Sequence, residues 1–252
     1  MKKILNIILI MILFSSATFA SLRGDVTVLG ASENIRLIGQ KIAKSYLYYF
    51  QNPKKTELKM EIYKDIEALE DSLIEIATTT KSRDSKNILD FLAYNKDEIK
   101  LLLEKSVDRE RSILMLDYSE SFLEGASSIA DEHKYVFSLE EEMLIAFKDI
   151  EYFLERISKY YIASTLNLDR KNNFANMKES ILLMEHTLEE VNRYPYPSEF
   201  SSEVKKMNKI WEKHKKFLYK SDKVLIPNLL NSSESLLKDS IHKLALYHKQ
   251  NQ

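Results

Sequence analysis

Arg36, Gln40 and Lys44 stand at successive four-residue steps. On a helix their side chains share one stripe, beside the apolar positions Ile35, Ile38 and Ile42. A planar guanidinium can grip an oxyanion through two parallel N–H bonds, and a neighbouring amide and ammonium would extend the grip. A solvated or intersubunit edge of an amphipathic helix fits the same spacing. Periodicity leaves both readings open, so the three residues are a candidate anion site, with no cofactor implied.

Other chemistry finds little footing. The five histidines are His133, His186, His214, His242 and His248. None forms a His-x3-His pair, and no Glu-x-x-His motif recurs as a helical di-metal site requires. No nucleophile elbow, phosphate-binding glycine loop or zinc-protease motif occurs. The sequence has no cysteine, which removes thiol catalysis and cysteine-based metal sites. The expectation is a protein that is not an enzyme and holds no metal. Tyr46, Tyr48, Tyr49, Phe50 and the Tyr160-Tyr161 pair admit a ligand pocket, but packing at a bundle end with hydroxyls turned to water is the favoured role. Trp211 reads as a core anchor.

The elements that must position these residues repeat. Gln40–Ile76 set over Glu155–Val191, an offset of 115, gives eight identities, including Ile42/Ile157, Lys44/Lys159, Tyr46/Tyr161 and Asn52/Asn167. Further on, Ser119-Glu120-Ser121 is echoed by Ser233-Glu234-Ser235 at offset 114. A period this long exceeds a solenoid unit and reads as two copies of one small domain. At the stripe the copies differ, since Arg36 and Gln40 correspond to Glu151 and Glu155.

Only four Gly and four Pro occur, which points to long helices. Ser21–Gly30 reads as an extended lead-in with a β-prone piece at Asp25–Leu29, after which Ser32 caps the first helix. Asn52-Pro53 ends that helix. Further helices follow over about 54–77, 85–105 and 108–133, the last capped by Asp108. The copies divide near Lys134–Phe137, where Ser138 and Glu141 make a capping box. The second copy then gives helices near 138–165, 169–192, 198–221 and 226–248. Pro195 and Pro197 make a rigid break within it, and Pro227 suits a first helical turn. The fold class expected is all-α, as two tandem antiparallel four-helix bundles over residues 30–135 and 138–250. The sequence leaves open whether the fourth and fifth helices stack nearly end to end or the two copies pack against each other.

Residues 1–20 carry Lys2 and Lys3, an apolar run from Ile4 to Phe14 and a small-residue close at Ala20. This is the order of a secretory signal cleaved after Ala20, giving a periplasmic or secreted chain without a membrane span. Formal net charge is −1 and falls by two without Lys2 and Lys3, so no basic excess draws nucleic acid.

The run Arg36-Leu37, Gln40, Ile42-Ala43-Lys44 and Tyr46-Leu47 resembles the first helix of the PilJ-type extracytoplasmic sensor domain. That family heads type IV pilus chemoreceptors and is related to the input domains of nitrate/nitrite sensor kinases. The resemblance covers about residues 30–135, and the second copy more weakly. It implies a sensory, ligand-binding domain in which an arginine at the position of Arg36 binds an anion at a subunit interface. Where the family commonly has a small residue three before the arginine, this chain has Glu33. The chain resembles a sensor domain without its transmitter. The partners implied are a small anion, a membrane receptor or sensor kinase, and a second copy as homodimer. A structural or adaptor module offering helical faces to envelope proteins is the alternative.

Overall fold

A computed structural model describes the backbone of residues 2–220 and 227–251, and the side chains of residues 23–219 and 230–251. The expected signal segment, residues 1–20, lies outside the described side chains. Among the described residues the chain is all-helical and bundle-like. The helices are α1 (Lys2–Gln51), α2 (Thr56–Thr79), α3 (Arg83–Glu104), α4 (Arg109–Glu132), α5 (Leu139–Thr165), α6 (Arg170–Arg193), α7 (Ser198–Lys220) and α8 (Pro227–Gln250).

Local chemistry sets several helix ends. The Asp108 carboxylate accepts from the Arg111 amide and caps α4. Ser138 and Glu141 form the reciprocal capping box of α5, each satisfying a donor that the first helical turn leaves orphaned. Glu141 also accepts from the Tyr135 hydroxyl at 2.6 Å, which ties the connection to the helix it precedes. Between α5 and α6 the chain turns through Asn167 and Asp169, both at positive φ (58° and 44°). Asn and Asp tolerate that region better than most residues.

In the first half, α1 packs on α2 and α4, α2 on α3, and α3 on α4. Ile35, Ile42, Ile66, Leu92 and Phe122 fill the space between them. Neighbours in sequence run antiparallel: Gly24 meets Thr79 while Lys41 meets Asp65, and Ser85 meets Glu132 while Leu92 meets Gly125. In the second half, α5 packs on α6 and α8, α6 on α7, and α7 on α8. Its core gathers Phe147, Ile157, Tyr161, Ile181, Met207, Trp211 and Leu237. That cluster also takes in Leu47, Tyr48 and Leu116 from the first half, so the apolar interior runs across the seam between the halves.

Two sequence expectations are corrected. The lead-in at 23–30 is helical, because Val28, Ala31 and Ile35 continue one apolar face and are all buried against the first core. Asp25 there pairs with His133 at the far end of α4, 2.8 Å away. Tertiary contact of this kind overrides a short β-prone sequence. Ser32 consequently lies inside α1, fully buried, and caps nothing. Of the two arrangements left open by the sequence, end-to-end stacking of the fourth and fifth helices does not occur. The 133–138 connection doubles the chain back, so that α5 lies along α1 and points the same way. Arg36 faces Asp149 and, two turns on, Lys44 faces Glu155.

Candidate functional site

The stripe of α1 faces the second half of the chain. The Arg36 guanidinium lies 2.7 Å from Glu33 and 3.2 Å from Asp149 of α5, and its face covers the Tyr152 ring at 4.6 Å from the centroid. Burial disfavours its charge, but Glu33 and Asp149 outweigh burial and hold it firmly protonated. Glu33, which stands where the resembled family commonly has a small residue, is here the nearest partner of Arg36. Burial likewise pushes the Asp149 carboxyl up to about 6, against the pull of Arg36, with Glu33 adding to the rise.

Gln40, one turn on, is fully buried and donates to the Ser119 carbonyl of α4 at 3.0 Å, while its Oε1 has no hydrogen-bond partner. It therefore bonds within the first half rather than facing a ligand. Lys44, one further turn on, is held between Glu155 of α5 at 2.6 Å and Glu234 of α8 at 2.9 Å. Burial lowers the affinity of Lys44 for its proton, but the two carboxylates reverse this and raise its pKa far above the ordinary value. Glu234 also accepts from Ser158, and Glu155 from Lys238. A polar cleft of about 290 Å³ opens beside this network, its wall including Tyr48, Glu61 and Asn231.

Arg36 and Lys44 are thus brought to one seam, with Gln40 between them, but each cation already holds two carboxylates. Net favourable pairing of buried charges requires such mutual satisfaction. As it stands, the stripe binds the halves together, and an external anion would have to displace Asp149 from Arg36.

Sequence reasoning missed a second cationic centre on the same seam. Lys159 of α5 is fully buried, 2.5 Å from Glu120 and 2.8 Å from the Ser119 hydroxyl of α4, and 4.1 Å from the centroid of the Tyr160 ring. Arg156 joins the same carboxylate at 2.9 Å. Burial brings Lys159 down to about 8, more than Glu120 restores. The only signal in the sequence was the identity of Lys44 and Lys159 within the repeat, since a lysine is almost never fully buried without a partner.

The aromatic residues pack. Tyr46 and Tyr161 are buried, and the Tyr46 hydroxyl is enclosed without a partner instead of reaching water. Trp211 is buried in the second core, stacked near His214. An apolar cavity of about 230 Å³ lies where α1 meets the start of α5, walled by Leu29, Phe137, Leu144 and Ile145. Among the described residues no group of three or more acidic or histidine side chains is arranged to hold a metal ion. No helix among them is long and apolar enough to cross a membrane. Compared with protein-family models, curated proteins and solved structures, the chain matches none.

Proposed function

We propose that the chain is an exported helical binding protein of sensory type, with two diverged PilJ-like four-helix units, that passes a bound state to a membrane receptor or sensor kinase. The observation that carries this reading is the orientation of Arg36. It points into the seam between α1 and α5 rather than into solvent. The PilJ-type resemblance implies an arginine at an interface of that kind. Lying on Tyr152, the guanidinium keeps its planar edge for a carboxylate, and Asp149 supplies one.

The exchange of Asp149 for a small oxyanion is favoured by acid. Below about 6 the carboxyl takes up a proton and its hold on Arg36 weakens. Calorimetric titration of the folded protein with nitrate and nitrite at pH 5 and pH 7.5 tests this. Binding is expected at pH 5, weaker at pH 7.5, and absent in Arg36→Ala. If no heat beyond dilution appears at either pH, the anion reading is abandoned.

The adaptor reading draws on the opposite aspect of the same geometry: both candidate cations have partners, so the stripe works as internal fastening. On that reading the protein presents helical faces to another envelope protein. It binds no anion at either pH, and co-sedimentation with a protein partner is its positive result.

A further inference from the structure

Two lysines that occupy one place in the repeat make the same contact in opposite directions. Lys44 and Lys159 are equivalent at offset 115, and Glu120 and Glu234 are equivalent at offset 114. Lys44 of the first copy pairs with Glu234 of the second, and Lys159 of the second pairs with Glu120 of the first. Neither lysine reaches the equivalent glutamate of its own copy in any ion pair among the described residues. The helices that carry the lysines, α1 and α5, are equivalent as well, and they lie side by side and parallel.

The clefts flanking the seam repeat the relation. One, of about 290 Å³, includes Ser45, Glu61 and Glu234 in its wall. The other, of about 170 Å³, includes Tyr160, Asn176 and Glu120, the residues equivalent to those three. Each cleft is thus lined chiefly by the first and second helices of one copy and the fourth helix of the other, with Glu155 of α5 added to the first. Contact of residue i with j on the partner, matched by j with i, is the signature of a two-fold interface between identical subunits.

We infer that the α1–α4 face of the first copy and the α5–α8 face of the second are the two halves of one self-complementary docking surface. The partner each face fits is another copy of the same unit, supplied here within the chain. A second copy of this chain is therefore the external partner the surface accepts, by exchange of halves across the 133–138 connection. The core supports this: Leu47, Tyr48 and Leu116 of the first copy are buried with the second copy's apolar cluster, so separating the halves would expose apolar as well as charged surface. The inference stands on the repeat and the seam and holds whether or not an anion binds.

A protease recognition sequence placed at Val136, which is 96% exposed, allows the folded protein to be cut between the halves. The two fragments are expected to sediment together at the mass of the intact chain. In a second variant, residues 134–137 are deleted, so that α4 can no longer double back into α5. That variant is expected to exchange halves with a second chain and to sediment at twice the wild-type mass with unchanged helical circular dichroism. Fragments that separate at micromolar concentration would overturn the inference, and so would a deletion variant that stays monomeric and helical.

Discussion

Lys44 and Glu234 meet at 2.9 Å, both buried, although 190 residues separate them in the chain. The equivalent pair, Lys159 with Glu120, meets at 2.5 Å on the other side of the same seam. The two are geometrically alike and electrostatically unlike. Lys44 answers two buried carboxylates, whereas Lys159 shares one half-buried carboxylate with Arg156.

That difference sets the first prediction. Lys44→Met leaves Glu155 and Glu234 buried beside each other, with Lys238 and Ser158 as their remaining partners. Removing one member of a buried ion pair costs about 3–5 kcal/mol, because the stranded charge keeps its desolvation penalty. Lys159→Met leaves Glu120 with Arg156 and removes an ammonium that burial already disfavours. Because Glu120 is only partly buried and keeps Arg156, the charge left behind is not stranded, and the loss is expected to be smaller than for Lys44→Met. Urea midpoints of the two variants check the order. Equal losses would mean that the two lysines are equally well paired.

Acid acts on the fold through two groups with opposite signs. His214 is buried beside Ser233 and has its pKa lowered to about 4, by burial first and then by Lys44. Between its ordinary pKa and that value the unfolded chain binds a proton that the folded chain refuses, so stability is lost as pH falls from about 6.5 to 4. Asp149, raised to about 6 by burial, takes up its proton earlier in the folded chain than in the unfolded one. Its contribution runs the other way, gaining as pH falls from about 6 to 4. His214→Gln is therefore expected to be less acid-sensitive than wild type, and Asp149→Asn more so. Denaturant midpoints at pH 4.5 and 7 measure both. Parallel shifts in all three proteins would rule out these protonation states.

Two glycines in α1 separate propensity from packing. A Cβ on Gly39 would lie 2.9 Å from the Phe122 Cβ of α4, and that atom cannot swing aside as the end of a flexible side chain can. A Cβ on Gly30 would meet nothing within 4 Å. Alanine in mid-helix is favoured over glycine by about 0.5–1 kcal/mol. Gly30→Ala is expected to stabilise by about that amount. Gly39→Ala loses it again to the forced separation of α1 and α4, since overpacking costs about 1–3 kcal/mol. Thermal melts of the two variants should therefore move in opposite directions; two upward shifts would show that α4 yields at Phe122.

Helix content and most helix ends were legible in the sequence, because caps and breakers act locally. Asp108, the Ser138–Glu141 box and the Asn52-Pro53 break all work through atoms within a few residues of one another. The segment 23–30 is helical against its sequence for the complementary reason. Its two glycines and β-prone residues lack a local preference for helix, and the faces of α2 and α4 supply what is missing. The stripe was legible as a stripe, since Arg36, Gln40 and Lys44 do share one side of α1. Its partners were not. Asp149, Glu155 and Glu234 stand more than a hundred residues away, and helical spacing along α1 says nothing of which distant side chains will face it.

The sequence by itself determined that the chain is helical, that it repeats, and that one copy carries Arg36 and Gln40 where the other carries Glu151 and Glu155. Periodicity and local hydrogen bonding are enough for that, and comparison within the chain supplies the rest. Only the tertiary structure decided that the copies lie side by side, with Lys44 paired to Glu234 and Lys159 to Glu120 across the seam. The direction taken by a six-residue connection, and the need of each buried charge for an opposite one, are settled when surfaces meet.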